Sequence, residues 1–176
     1  MICVKTLVNR DNSCAFSGYR PDKLPWGHNE SDERCLFLKA RLYEAAEMVY
    51  LGGRRHFLCG MALGADAYFC ETIIKLREKY PDITLEAAVP CEEQAAKWPE
   101  AAKRRYADLL SQCDYETYVS RHFTPDCMTK RNRYMVDNAT VLIAVFDGRF
   151  GGTMHTVNYA GASGIEIILI DPQGNP

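Results

Sequence analysis

Apolar residues along this chain follow two signatures: short unbroken runs, and longer stretches that recur at spacings of three and four. The runs read as strands with both faces buried, and the spaced stretches as amphipathic helices packed on them. Strands are predicted at Ser13 to Ser17, His56 to Cys59, Ile83 to Val89, Tyr115 to Val119, Thr140 to Phe146 and Ile165 to Ile170. Thr140 to Phe146, Thr-Val-Leu-Ile-Ala-Val-Phe, is the strongest of them. A helix is predicted from an N-cap at Ser31, with acids at Asp32 and Glu33 in its first turn, to Gly52-Gly53. It carries Cys35, Leu38, Leu42, Ala45 and Val49 on one face, with Lys39, Arg41, Glu44 and Glu47 on others. Further helices are predicted from about Gly64 to Lys79, from Glu100 to Gln112, and from Thr124-Pro125-Asp126 to about Asn138, with proline at the first helical position. In that last helix Asn132 falls on the face of Met128 and Val136, where a polar side chain needs partners. A final helix runs from the Gly151-Gly152-Thr153 turn to about Ser163. Met1 to Asn12 is a lead-in whose Ile2, Val4, Leu7 and Val8 suit an extended segment, and Asp171 to Pro176 is a polar tail. With 176 residues and no repeat or linker, one domain is expected.

Strand and helix alternate from Ser13 to Ile170, which predicts an α/β fold, a mainly parallel sheet with helices on both faces. Such sheets bind ligands beyond the carboxyl ends of their strands, where strand order reverses. Four strand ends carry small or polar loops: Ser17-Gly18-Tyr19-Arg20, Gly60-Met61-Ala62-Leu63-Gly64, Pro90-Cys91-Glu92, and Asp147 to Thr153. The stretch from Phe57 to Ala67 is a strand, a tight turn and a helix start. Its backbone N–H groups and helix dipole favour an anion, and Gly60 and Gly64 permit close approach. The competing account is an ordinary connection whose glycines serve packing alone. Gly151-Gly152-Thr153 offers N–H groups and a hydroxyl, as a phosphate cradle does, but no Gly-Lys-Ser/Thr follows and no G-x-G-x-x-G fingerprint begins at Gly18.

Composition narrows the classes. A formal net charge of −2 argues against a dedicated nucleic-acid binder. None of the eight cysteines forms a C-x-x-C pair, so they read as small buried hydrophobes, and no metal site is expected. No secretory signal and no membrane-length apolar run is visible, so a cytoplasmic protein is expected.

The ordered set Ser17-Gly18-Tyr19-Arg20-Pro21, Gly60 to Asp66, Ala88-Val89-Pro90 with Gln94 and Trp98, Arg131 to Asp137, and Gly151-Gly152-Thr153 resembles the YpsA/YoqJ-like branch of the SLOG superfamily. The resemblance covers about residues 13 to 171. It implies a Rossmann-like three-layer α/β/α sandwich and a nucleotide-derived ligand. Relatives include the Lonely Guy (LOG) phosphoribohydrolases, the DNA-processing A proteins and sensors of signalling nucleotides. The LOG enzymes use a Pro-Gly-Gly-x-Gly-Thr-x-x-Glu motif. Aligning Gly152-Thr153 with its Gly-Thr pair puts Thr156 where the glutamate stands, and a hydroxyl is no carboxylate base.

The leading expectation is therefore a binding or sensing module for a small nucleotide-like ligand, with no cofactor identified. Gly60, Gly64, Gly151, Gly152 and Thr153 would hold phosphate. Arg20 and Arg131 would add charge-assisted contacts, and Asn132 would fix orientation. Ser17, Gly18, Tyr19, Met61, Ala62, Asp66, Glu92 and Asp147 complete the candidate site. Asp66 is equally a helix cap, and Tyr19 and Trp98 either stack a base or pack. The alternatives are a nucleotide N-glycosidase, with Glu92, Asp66 or Asp147 replacing the missing glutamate, and a single-stranded DNA binder using Lys103-Arg104-Arg105 and Lys130 to Arg133. A Cys-His hydrolase built on Cys91 has no supporting signature. Analogy with LOG relatives adds a homodimer as a hypothesis.

Overall fold

The structure, a computed structural model, describes residues 9–174. The proposed extended segment at Ile2 to Val8 and the last two residues of the tail lie outside them. The elements in chain order are β1 (Ser13–Ser17), α1 (Glu33–Leu51), β2 (His56–Cys59), α2 (Ala65–Lys79), β3 (Thr84–Val89), α3 (Glu100–Ser111), β4 (Tyr115–Tyr118), α4 (Cys127–Asp137), β5 (Val141–Val145), α5 (Gly152–Ala162) and β6 (Glu166–Ile170). Two single 3₁₀ turns, Arg10–Asn12 and Pro21–Lys23, flank β1.

All six strands are parallel, in the order β4-β3-β2-β1-β5-β6. The chain thus winds outward from β1 in one direction through β4, then returns to build β5 and β6 on the other side. β1 and β5 meet where the order reverses, and their carboxyl ends form the crevice that such sheets use for ligands. Period-two alternation sends Cys14 and Phe16 to one face and Ala15 to the other. The first face packs α1 and α2, with Phe16 stacked on Phe69 at 4.3 Å between ring centroids. Burying either ring contributes about 1.5–3 kcal/mol. The second face takes α4 and α5 against Ala15, Ala88, Ala139, Ala144 and Ala160. These small side chains let the two helices lie close to the sheet.

Two helix starts differ from expectation. The N-cap of α1 is Asp32, not Ser31, because the Asp32 carboxylate accepts the Arg34 N–H at 2.9 Å. In α4 the first helical residue is Cys127 and Pro125 stays in the preceding turn, so the proline does not occupy the first helical position. The buried line of α4 is Cys127, Arg131, Met135 and Val136, whereas Asn132 is half-buried on its flank. A charged residue, not the amide, therefore enters the core.

Candidate functional site

The β2–α2 turn is a scaffold before it is a site. Arg131 is only 5% exposed, and its Nη1 donates to the Gly60 carbonyl and, at 3.3 Å, to that of Ala88. It joins the ends of β2 and β3 from α4. A Cβ on Gly60 would lie 2.6 Å from the Arg131 guanidinium carbon and 2.9 Å from Asp66 Oδ2. The close approach that Gly60 permits is therefore that of Arg131, not of a ligand. Gly64 has φ +85°, and a Cβ there would meet the Tyr19 carbonyl oxygen at 2.7 Å. It serves the packing of the β1 loop onto α2, where Ala65 N–H donates to that same carbonyl at 3.0 Å. Met61 holds φ 57°, a costly value for a side-chain-bearing residue. Gln94 secures it by donating to the Met61 carbonyl at 2.7 Å.

Asp66, 5% exposed, accepts the Ala62 N–H at 3.1 Å and is also hydrogen-bonded by the Gly18 backbone. One carboxylate thus ties the β1 and β2 loops together. Burial raises the Asp66 pKa against the opposing pull of the Arg131 charge. Burial likewise lowers that of Arg131, with Asp66 opposing.

A second strap holds the β5 loop. The Tyr19 hydroxyl donates to Asp147 Oδ1 at 2.6 Å, Arg149 Nε donates to the same carboxylate at 3.0 Å, and Lys23 Nζ donates to the Phe150 carbonyl. Burial would raise the Asp147 carboxyl, but the hydrogen bonds from Arg149 and Tyr19 outweigh it and hold its pKa at about 2. Tyr19 is 1% exposed and packs edge-on against Phe146, so its ring is core. Trp98 is half-buried, set edge-on to Tyr106 at 5.5 Å, and does not line the cavity at the β1 end.

Between these straps, at the carboxyl end of β1, lies a cavity of about 180 Å³. Ser17, Gly18, Tyr19, Arg20, Ala62, Asp66, Arg131, Asn132, Gly152 and Thr153 line it, all of them candidates from the sequence. Gly60, Met61, Gly64, Glu92, Asp147 and Gly151 do not. The first three and Asp147 hold the walls from behind. Glu92 is exposed on the β3–α3 loop, 3.9 Å from Arg121. Gly151 sits against the Lys23 ammonium. Asp22, Lys23, Met128 and Met135 line the cavity without having been anticipated. Lys23 had a signal, since it follows Arg20 in the loop that ends β1.

The groups facing the cavity are less engaged than the straps. Ser17 and Thr153 are mostly buried, but their hydroxyls open onto the cavity and within the described residues neither has a hydrogen-bond partner, whereas the buried side-chain atom left without one is Gln94 Oε1, behind Met61. Asn132 Oδ1 accepts from Arg131 Nε at 2.8 Å, which leaves its NH₂ without an acceptor among the described residues. Arg20 is exposed at the mouth, where its Nη2 lies 4.0 Å from the Met128 sulfur. The first N–H groups of the 11-residue α5 begin at Gly152. Donors, a helix N-terminus and a fixed cation converging on one void suit an oxyanion such as phosphate. Thr156 does not reach it, because its hydroxyl donates back to the Gly152 carbonyl at 3.0 Å.

A separate polar cluster lies deeper, below the cavity. Glu86, 1% exposed, accepts from His56 Nε2 at 2.8 Å, Thr117 Oγ1 at 2.7 Å and the Tyr134 hydroxyl at 2.7 Å. Sequence reading missed it, although an acid inside the apolar run Ile83 to Val89 was its signal. Among the described residues, no group of three or more His, Cys, Asp or Glu side chains is placed to hold a metal ion. Nor is any helix there long and apolar enough to cross a membrane.

Comparison with known proteins bears on the same region. The model of the YspA SLOG family matches residues 14–171. The SPbeta prophage-derived protein YoqJ of Bacillus subtilis strain 168 is 32% identical over 138 residues, covering 71% of this chain and 81% of that protein. A UPF0398 protein of Halalkalibacterium halodurans is 29% identical over 135 residues, covering 75% of this chain and 70% of its own. Among solved structures, the DNA processing protein A of Streptococcus pneumoniae superposes with a TM-score of 0.61 at 14% identity. The match covers 92% of this chain but only 51% of that one, so the chain spans about half its length. The Helicobacter pylori counterpart, solved to describe its single-stranded DNA binding mode, gives 0.60 at 15% identity over 96% of this chain and 73% of its own. At these identities the likeness is one of fold.

Proposed function

Since the chain belongs to the YspA SLOG family, we propose that it binds or senses a small nucleotide-like ligand, with the phosphate end in the cavity at the carboxyl end of β1. The observation that carries this reading is a void lined by the Ser17 and Thr153 hydroxyls, neither bonded by any described residue, with Arg20 at its mouth. Both hydroxyls face the void free to donate to what fills it, and an oxyanion accepts from both. Binding rather than cleavage is supported by the state of the acids. Asp66 is spent on backbone N–H groups, Asp147 on Tyr19 and Arg149, and Glu92 lies outside the cavity. Of the two acids that line the cavity, Asp66 is tied to the Ala62 N–H and Asp22 is exposed to solvent.

A second reading, single-stranded DNA binding, draws on the fold shared with the Helicobacter pylori protein. The basic clusters give it little support. Lys103 pairs with Glu100 at 2.9 Å, Arg105 with Glu71 at 2.7 Å, Lys130 with Asp126 at 3.0 Å, and Arg131 is buried.

A thermal-shift screen against nucleotides, nucleotide sugars and cyclic or ADP-ribose-type compounds separates the readings. A ligand that binds only the folded state raises the melting temperature. A nucleotide that does so, and is recovered intact, supports the proposal. Recovery of free base and ribose phosphate would establish the hydrolase instead. Binding of an oligothymidylate with affinity falling steeply in salt, and no small-ligand shift, would establish the DNA reading.

A further inference from the structure

The cavity is too small for the whole of the ligand proposed above. Its volume of about 180 Å³ falls below the roughly 300–1,000 Å³ typical of small-molecule sites. It accommodates a phosphate and part of a sugar. The remainder must leave along one of the walls, and one wall opens onto a second space. A groove of about 540 Å³ runs between α4 and α5, and it shares Met128, Asn132 and Gly152 with the cavity. The two spaces therefore adjoin at the start of α5.

The groove differs chemically from the cavity. It offers aromatic surfaces at His155 and Tyr159, and Arg133 lies over the Tyr159 ring at 5.3 Å. Exposed Asn158 and His155 line it, and among the described residues no hydrogen bond occupies either side chain. An unspent amide presents a donor and an acceptor side by side, the pattern that matches the edge of an adenine. Flat aromatic faces beside it suit a stacked ring. Neither feature suits a second phosphate.

We propose that the α4–α5 groove is a nucleobase subsite, that the ligand is a nucleoside 5′-phosphate spanning cavity and groove, and that Asn158 and His155 read its base. This rests on the phosphate assignment made above.

The test uses the full chain and three probes in calorimetry: adenosine 5′-monophosphate, guanosine 5′-monophosphate and ribose 5-phosphate. His155→Ala and Asn158→Ala alter exposed helix positions, and the isosteric Asn158→Asp replaces the amide's donor with an acceptor. Each variant is predicted to bind adenosine 5′-monophosphate about tenfold more weakly than the parent, with ribose 5-phosphate affinity unchanged. The parent is predicted to prefer the adenine nucleotide over the guanine one. Unchanged adenosine 5′-monophosphate binding in all three variants would overturn the groove assignment while leaving the cavity reading intact. Equal loss for both adenosine 5′-monophosphate and ribose 5-phosphate would also overturn it, since the groove would then act only through the cavity. Failure of the parent to bind any of the probes would remove the cavity reading and the groove with it.

Discussion

Helix α4 serves two polar clusters one turn apart, and they are opposites. Below, Tyr134 completes the Glu86 cluster, in which a buried carboxylate accepts three side-chain donors from β2, β4 and α4. Above, Arg131 and Asn132 border a void whose Ser17 and Thr153 hydroxyls have no partner within the described residues. The first cluster is complete without anything from outside and welds the sheet to the helix. The second is engaged on its rear side through Asp66, the Gln94 amide nitrogen and the Gly60 carbonyl, with Gln94 Oε1 buried there without a partner among the described residues. Burial and polarity alone do not mark a functional site. What marks it is polar capacity that the fold itself leaves unused.

That contrast predicts opposite responses to substitution. The largest effect belongs to the lower cluster. Glu86→Ala removes the acceptor shared by His56, Thr117 and Tyr134 and is expected to cost about 3–5 kcal/mol, read from urea denaturation, as for other broken buried pairs. Ligand affinity of the fraction still folded should be unchanged. Next comes the joint between the two clusters. Gly60→Ala pushes on both Arg131 and Asp66, and overpacking of this kind costs about 1–3 kcal/mol. Here stability and binding should fall together, because the displaced Arg131 is also a wall of the cavity. If stability dropped and binding did not, the wall would have no role in shaping the site.

The upper cluster should behave in reverse. Arg20→Ala is expected to leave stability within about 0.5 kcal/mol, as exposed sites generally do, while weakening a phosphate-bearing ligand by about tenfold or more. A matched pair of melting curves, with and without ligand, checks both halves.

The smallest effect is one of pH. Burial favours the neutral form of Glu86, but the bonds from His56, Tyr134 and Thr117 outweigh it and hold its pKa below the ordinary value of 4.5. A carboxyl lowered by folding adds stability that is complete above its unfolded pKa and is lost as pH falls through the folded one. Stability should therefore decline below about pH 4.5. Glu86→Gln should flatten that acid limb while lowering the neutral plateau, measured as urea midpoints between pH 3 and 7. An acid limb equally steep in the variant would move the titrating group elsewhere, with Asp147 the next to examine.

The central strands were legible in the sequence because a sheet buried on both faces needs apolar runs, and β1 and β2 begin and end where those runs do, whereas the exposed edge strand β4 showed only as alternation. The crevice was legible because its loops are short and follow strand ends directly. Individual roles were less so. Gly60 and Arg131 both looked like ligand contacts, one by its lack of a side chain and the other by its charge, but they are spent on each other across 71 positions. Period-3.6 reasoning placed Asn132, rather than Arg131, on the buried side of α4, since nothing local shows that a guanidinium has two carbonyls waiting for it. Helix caps slipped for a related reason. Ser31 and Asp32 are both good caps, and only the position of the Arg34 N–H chooses between them. Glu86 was passed over because an acid in a strand is ordinary until its three donors, from distant elements, are assembled around it.

The central claim is that the void at the end of β1 takes a phosphate, and Gly152 tests it most directly. A Cβ at this position meets nothing within 4 Å, so Gly152→Asp should fold as the parent does while setting a carboxylate at the start of α5 beside the cavity. Thermal shifts would be measured for the parent and this variant with adenosine 5′-monophosphate and with adenosine. The account predicts a rise in melting temperature for the parent with the nucleotide alone, and none for the variant with either compound. A shift of equal size with adenosine, or one that survives Gly152→Asp, would contradict it.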